Sequence, residues 1–369
     1  MRLLPSFLVV CGSAAVHGRF SAASPPSPPS PSEETECLIR IPSSGSFRIL
    51  QVADMHYSAD DDSCEDIPKE EMPFCSSKNT TDFVKRAIAK TKPNFIVFTG
   101  DQTDGGNKDA RKSQTEALHP AVESGIPWAA VLGNHDSEST LTRQELMELG
   151  RGLPGSCARV GPEGLSGSGN YKVLLKGGGK TVPLFFLDSG DYSSFESVGG
   201  YDWIRSDQIT WLKEKSRVLR AETEKEKEDL MKGFLFFHIP VPEYKEVKPE
   251  AGERGEGVCS AEVNSGLVAG LLEADTVGVT VVGHDHVNDY CGDSHGLKLC
   301  YGGGVGYKTY GKVGWPRRVR VFDLSDFGAS LSTFKILDTP EMPEEGHATL
   351  WTKGKGAEKE GETLDLVVD

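Results

Sequence analysis

Residues 277–286 read VGVTVVGHDH, an apolar run that stops at Gly283 and delivers His284, Asp285 and His286. The same build recurs in 47–56 (FRILQVADMH), 95–101 (FIVFTGD) and 128–136 (WAAVLGNHD), and in shorter form where Phe234–Phe237 ends on His238. Apolar runs of this length, bounded by turn residues, are the pattern of strands buried on both faces. Helical patterns lie between them. Asp82 reads as the N-cap of a helix whose Phe83, Val84, Ala87 and Ile88 share one face and which ends before Pro93; further helices are expected over 110–124, 206–232 and 261–274. Additional strands are expected at 171–175, 182–187, 297–301, 319–324 and 331–337. Alternation of this kind predicts an α/β domain, and in open α/β sheets ligands gather beyond the carboxyl ends of the strands. Every polar turn quoted above sits at such an end, so one composite site is expected.

Five of the 9 histidines, His56, His135, His238, His284 and His286, lie at or within a few residues of these strand ends, together with Asp54, Asp101 and Asn134. Singly, each has a structural explanation as a turn residue or a capped imidazole. Their joint placement points to metal. Carboxylates, imidazoles and an amide oxygen suit hard or borderline di- and trivalent ions, whereas the lack of thiolates argues against an iron–sulfur cluster or a soft structural zinc site. Two ions sharing a carboxylate would suit in-line phosphoryl displacement.

The composition is that of an ordinary globular protein: 369 residues, 37% hydrophobic and 26% charged. With 40 Lys and Arg against 55 Asp and Glu, the net charge of −15 repels a phosphate backbone, so no nucleic-acid partner is expected. An anionic substrate would need a positive centre, which bound cations could supply. Arg2, the apolar stretch 3–10 and the small residues 12–15 have the layout of a secretory signal peptide, assigned to 1–23; 24–45 reads as a Pro/Ser-rich linker, 46–338 as the folded domain and 339–369 as a polar tail. No run is long enough for a membrane span. The expected location is therefore secreted, or endomembrane or vacuolar. Cysteine usage agrees: beyond Cys11 there are seven, with Cys64–Cys75 and Cys291–Cys300 plausible local pairs and at least one left over. Asn79-Thr80-Thr81 is a glycosylation sequon. Gly302–Gly306 lacks the ending of a P-loop and reads as a tight turn near the site mouth.

The ordered blocks Asp54-x-His56, Gly100-Asp101-x-x-Asp104, Gly133-Asn134-His135-Asp136, His238 and Gly283-His284-Asp285-His286 resemble the calcineurin-like metallophosphoesterases over roughly residues 46–325. The segments GNHDSES, FLDSGDYS, FFHIPVPEY and GHDHVNDYCG are similar to the branch holding plant inactive purple acid phosphatases and a yeast dosage-dependent cell-cycle regulator phosphatase. The resemblance implies two mixed β-sheets packed as a sandwich and flanked by helices. It implies two divalent or mixed-valence ions (Fe, Mn or Zn). Asp54, His56 and His286 would hold one, Asn134, His238 and His284 the other, and Asp101 would bridge. His135, with Asn134, would face the substrate, His135 as general acid or charge stabiliser. A phosphorylated substrate, a phosphomonoester of protein or metabolite, would be attacked directly by a metal-bound hydroxide. Phosphodiester hydrolysis is the alternative within enzymes, and a silent binding protein that keeps the fold is the alternative of another class. Purple acid phosphatases place a tyrosine at the position of Asp104, whereas serine/threonine phosphatases place an aspartate there, and Asp104 is expected to hydrogen-bond and orient His135. Tyr192, Tyr244, Tyr307 and Tyr310 lie in family-like segments and are candidate substrate contacts.

Overall fold

All the apolar runs that end on polar turns become strands. The structure, a computed structural model, describes residues 37–352. One sheet has six strands in the order β14-β13-β12-β2-β3-β4, formed by Glu344–Thr352, Ser330–Leu337, Arg318–Ser325, Phe47–Val52, Phe95–Thr99 and Trp128–Val131. The other runs β1-β5-β6-β8-β9-β11-β10, formed by Cys37–Arg40, Tyr171–Gly177, Lys180–Phe186, Gly233–Phe236, Val277–Val282, Leu297–Tyr301 and Cys291–Ser294, with β7 (Asp229–Leu230) paired to β6. The strands β2, β3 and β4 are mutually parallel, and so are β6, β8, β9 and β11.

Side chains alternate across a strand, so each sheet has two apolar faces to cover. Ile49, Phe95, Val97, Ala129 and Val131 share a buried cluster with Val182, Leu184, Phe234, Phe236, Val279 and Val281, which is the sandwich interior. The alternate residues Leu50, Val52, Ile96 and Phe98 pack with Phe83, Val84 and Ile88 of α1 (Lys78–Thr91) and Leu118 of α2 (Ala110–Ser124). Beneath the other sheet, Phe185, Leu235 and Phe237 pack with Ile209 and Leu212 of α4 (Ser206–Glu226) and Leu267 and Leu271 of α5 (Leu267–Ala274). A shorter helix, α3 (Arg143–Gly152), follows β4 and starts on a Thr142–Glu145 capping box.

Several boundaries differ from the sequence expectation. Ordered strands lie outside 46–338 at both ends: β1 pairs with β5 inside the segment expected to be linker, and β14 pairs with β13 inside the expected tail. Neither has a strong local signal; each exists because a sheet edge accepts it, and Cys37 is further tied to Cys157. The signal segment 1–23 and residues 353–369 lie outside the described residues. Helix α1 begins at Lys78, not at Asp82. Its start is set by tertiary contact, since the Ser77 hydroxyl donates to Ser58 O while Asp82 is an exposed interior residue. Asn79 therefore sits in the first turn of α1, where its Oδ1 accepts from the Ser76 N–H. Helix α4 stops at Glu226 and α5 begins only at Leu267. Both local cystine pairs are present, and Cys259 is the free, exposed thiol among the described residues. No helix among the described residues is long and apolar enough to cross a membrane.

Candidate metal centre

The carboxyl ends of β2, β3 and β4 in one sheet and of β8 and β9 in the other converge. Leaving those strands requires sharp turns, and Asp54, His56, Asp101 and His284 all adopt positive φ (55°, 41°, 49° and 79°). Left-handed backbone is costly for residues other than glycine and concentrates at functional sites where surrounding structure enforces it. Gly100 makes the crowding possible: its φ is 93°, and a Cβ there would lie 2.3 Å from His238 Nδ1.

Asp54, His56, Asp101, Asn134, His238, His284 and His286 are all buried, none more than 8% exposed. His56 Nε2 lies 3.2 Å from His286 Nε2 and 3.4 Å from Asp101 Oδ2. His238 Nε2 lies 3.2 Å from Asp101 Oδ2, 3.2 Å from Asn134 Oδ1 and 3.3 Å from His284 Nδ1. Asp101 thus stands between two ligand sets. Asp54, His56 and His286 form one group able to hold an ion, and Asp101, His238 and His284 another; His56, Asp101 and His135 also cluster. Neighbouring backbone fixes the rings. His238 Nδ1–H donates to Thr99 O and His286 Nδ1–H to Tyr310 O, both at 2.9 Å, which aims each Nε2 at the centre.

The fit to cations is tested by what the site leaves unpaired. Asp54 Oδ2 is buried with no hydrogen-bond partner, an expensive arrangement unless something binds there, and His284 turns its Nδ1 toward His238 Nε2. The donors are oxygen and imidazole nitrogen, as expected for Fe, Mn or Zn. Burial holds the His56 and His284 imidazoles well below their usual range and takes His286 down to about 4, so all three are neutral donors. Burial also pushes Asp54 up to about 7. Burial opposes ionisation of Asp101, yet the facing imidazoles, His238 first, hold it well below the usual carboxylate range. Burial likewise pulls His238 down, but Asp101 and Asp54 outweigh it and carry it up to about 9.

Not every motif residue joins the centre. Asp136 accepts from the Gly133 and Thr103 N–H groups, lacing the turns after β3 and β4 together. Asp285 accepts from the Tyr301 hydroxyl and the Cys259 N–H. The expected bond from Asp104 to His135 does not form. The Asp104 carboxylate folds back to accept from the Gly106 N–H and lies 3.7 Å from Lys308 Nζ. His135 Nδ1–H instead donates to Glu138 Oε2 at 2.7 Å. Burial pulls the half-exposed His135 ring down, but Asp101 and Glu138 raise it overall.

The sequence reading assigns no role to Glu138, although it lies three residues after His135 in GNHDSES. Nor does it single out Arg143, which donates to Gly133 O at 2.7 Å and pairs with Asp188, pinning the turn that carries Asn134. Of the candidate tyrosines, Tyr192 and Tyr310 border the centre, whereas Tyr244 bonds Thr280 in the core and Tyr307 bonds Asp338. The glycine run is not a phosphate cradle: Val305 and Gly306 donate to Ala53 O and Asp54 O and are buried beneath the centre.

Comparison with known proteins agrees with this architecture. A family model described as calcineurin-like phosphoesterase matches residues 47–288, and the chain belongs to that family. It is 42% identical over 341 residues to probable inactive purple acid phosphatase 29 of Arabidopsis thaliana, covering 85% of this chain and 88% of that protein. It is 37% identical over 323 residues to phosphatase DCR2 of Saccharomyces cerevisiae, covering 80% of this chain and 54% of that one. Among solved structures, a dimetal phosphatase from Danio rerio shares the fold with a TM-score of 0.55 at 15% identity, covering 82% of this chain and 98% of that chain.

Proposed function

We propose that the protein is a phosphatase that depends on two metal ions and hydrolyses phosphomonoesters, of phosphoprotein or small phosphometabolite. The observation that carries the reading is the Asp101 carboxylate standing between two buried ligand groups, with every family position filled. Some relatives are named inactive, but here no ligand position has decayed. Asp54, His56 and His286 would hold one ion and Asn134, His238 and His284 the other, with Asp101 shared. Two such ions, when bound, supply the positive charge that the acidic chain lacks and lower the pKa of water. Asn134 and His135 face the position a phosphoryl group would occupy, and His135 places a proton at the leaving oxygen. Asp104 stands where purple acid phosphatases place a tyrosine that ligates ferric iron, so the site should bind metal without being purple.

The decisive experiment compares chromogenic phosphomonoesters and diesters across pH with Mn, Fe or Zn supplied, using Asp101→Asn as control. Faster monoester turnover by the wild type supports the reading. Faster diester turnover would make it a phosphodiesterase, and equal rates for wild type and Asp101→Asn would sink both. We further infer export to a secreted, endomembrane or vacuolar location. Three cystine pairs support it, because such bonds persist in oxidising compartments.

A further inference from the structure

We propose that Glu138 is the positioning residue for His135, held in turn by Tyr192, so that a chain Tyr192–Glu138–His135 runs from the protein surface to the rim of the metal centre. This rests on the phosphatase reading above for its consequence, though not for its geometry. Each oxygen of the carboxylate is committed to one partner: Oε2 accepts from His135 Nδ1–H at 2.7 Å, and Oε1 accepts from the Tyr192 hydroxyl at 2.8 Å. The outer end of the chain is braced. Tyr192 stacks on Tyr201 with centroids 5.7 Å apart, and Tyr201 meets His284 edge-on at 4.5 Å, so the chain is tied to the second ligand set.

The turn after Asp101 is shaped around this carboxylate. A Cβ on Gly105 would lie 1.8 Å from Glu138 Oε2 and 2.9 Å from its carboxyl carbon. Residue 105 must therefore lack a side chain if Glu138 is to reach His135. The adjacent Asp104, which by its place in the motif would do this work, is turned toward Gly106 and Lys308. Glu138 makes the contact with His135 in its stead.

With Nδ1–H given to a carboxylate, Nε2 is the ring nitrogen left for chemistry, and the ring can neither flip nor change tautomer without losing that bond. In monoester hydrolysis the water oxygen forms a bond to phosphorus as the ester P–O bond breaks. The leaving oxygen keeps the electron pair and takes the proton from doubly protonated His135 at Nε2; the attacking water gives up a proton to solvent, and the ring recovers one from solvent, so the protons balance. Such help matters most when the leaving oxygen is basic. Phenyl phosphate needs it, and p-nitrophenyl phosphate hardly does.

The test is therefore a ratio. Positioned proton transfer is worth about 10²-fold or more, so Glu138→Ala should lower kcat on phenyl phosphate by about that factor. On p-nitrophenyl phosphate the loss should be less than about fivefold, with KM unchanged on both. Glu138→Gln, which keeps an acceptor, should show only part of the loss, and Gly105→Ala should reproduce the Ala pattern. Asp104→Asn should leave the ratio of the two esters at the wild-type value. Equal losses on both esters in Glu138→Ala, or a changed ratio in Asp104→Asn, would overturn the assignment. A second readout needs no turnover. In ¹⁵N-histidine spectra of metal-free protein, recorded at a pH high enough to leave the ring neutral, the His135 signal, identified by its loss in His135→Asn, should report an Nδ1–H ring in wild type and lose that preference in Glu138→Ala. An unchanged signal would refute the proposal. If the wild type hydrolyses neither ester faster than Asp101→Asn, the phosphatase reading fails while the spectra still decide the role of Glu138.

Discussion

Two buried clusters of charged and titratable groups lie three residues apart in sequence, at His286 and Asp289, and they are finished differently. Around Asp289 the charges are satisfied. The carboxylate accepts from Arg318 and Lys335, and Arg320 donates to Tyr301 O, Thr333 Oγ1 and Asp289 O. None of these four side chains has a buried polar atom without a partner among the described residues. Around His286 imidazoles crowd one another and Asp54 Oδ2 is orphaned. The first cluster is complete as protein and pins β12 and β13 to the turn after β9. The second leaves a buried carboxylate oxygen open and contains groups of side chains able to hold a metal ion. A buried charge count alone would not separate them; an account of every lone pair does.

That contrast can be broken experimentally. Asp101→Asn should give the largest effect, a loss of hydrolysis of about 10⁴-fold or more, equivalent to about 5.5 kcal/mol of barrier, read from steady-state rates together with a metal content below that of wild type. Retention of both would erase the distinction. Asp289→Asn should act on the fold: it strands two buried cations, and urea unfolding should show a loss of about 3–5 kcal/mol with metal stoichiometry unchanged. The same carboxylate sets an acid limb. Burial opposes its ionisation, but Arg318 and Lys335 outweigh this and leave it below the ordinary value. The unfolded chain then takes up its proton first, so the stability from Asp289 is fully present above pH about 4 and is lost as pH falls through the depressed folded value. A melting series between pH 5 and 2 should show a shallower limb in Asp289→Asn.

Next comes metal addition. An ion at 100 times its Kd stabilises the native state by about 2.7 kcal/mol, so the melting temperature should rise with added Mn, Fe or Zn in wild type and Asp289→Asn and not in Asp101→Asn. The smallest expected change is in Tyr310→Phe. The hydroxyl accepts from the His286 N–H and donates to Glu256, but the Tyr310 carbonyl that aims the ring survives. Metal affinity should fall by about tenfold or less, as measured by competition with a chelating dye; a larger loss would mean the hydroxyl, not the carbonyl, sets the ring.

Much of the centre is legible in the amino-acid sequence. Asp54, His56, Asp101, Asn134, His238, His284 and His286 stand out because each follows an apolar run, and strand ends are where α/β sheets gather ligands. The limits fall where local pattern and tertiary need diverge. Strands β1 and β14 are short or polar, and sheet edges define them. Asp104 and Glu138 are both carboxylates near His135 in motif blocks, and spacing favours the wrong one. Which of them reaches the ring depends on the course of the Asp104–Gly106 turn and on the space over Gly105.

The sequence by itself determined the fold class and the inventory of candidate ligands, because apolar periodicity and the residue type at a strand end are local properties of the chain. Only the tertiary structure decided which carboxylate serves His135, which buried cluster is self-sufficient and where the sheets end, because those outcomes depend on the course of turns and on contacts between segments far apart in the chain, which are fixed only once both sheets are packed.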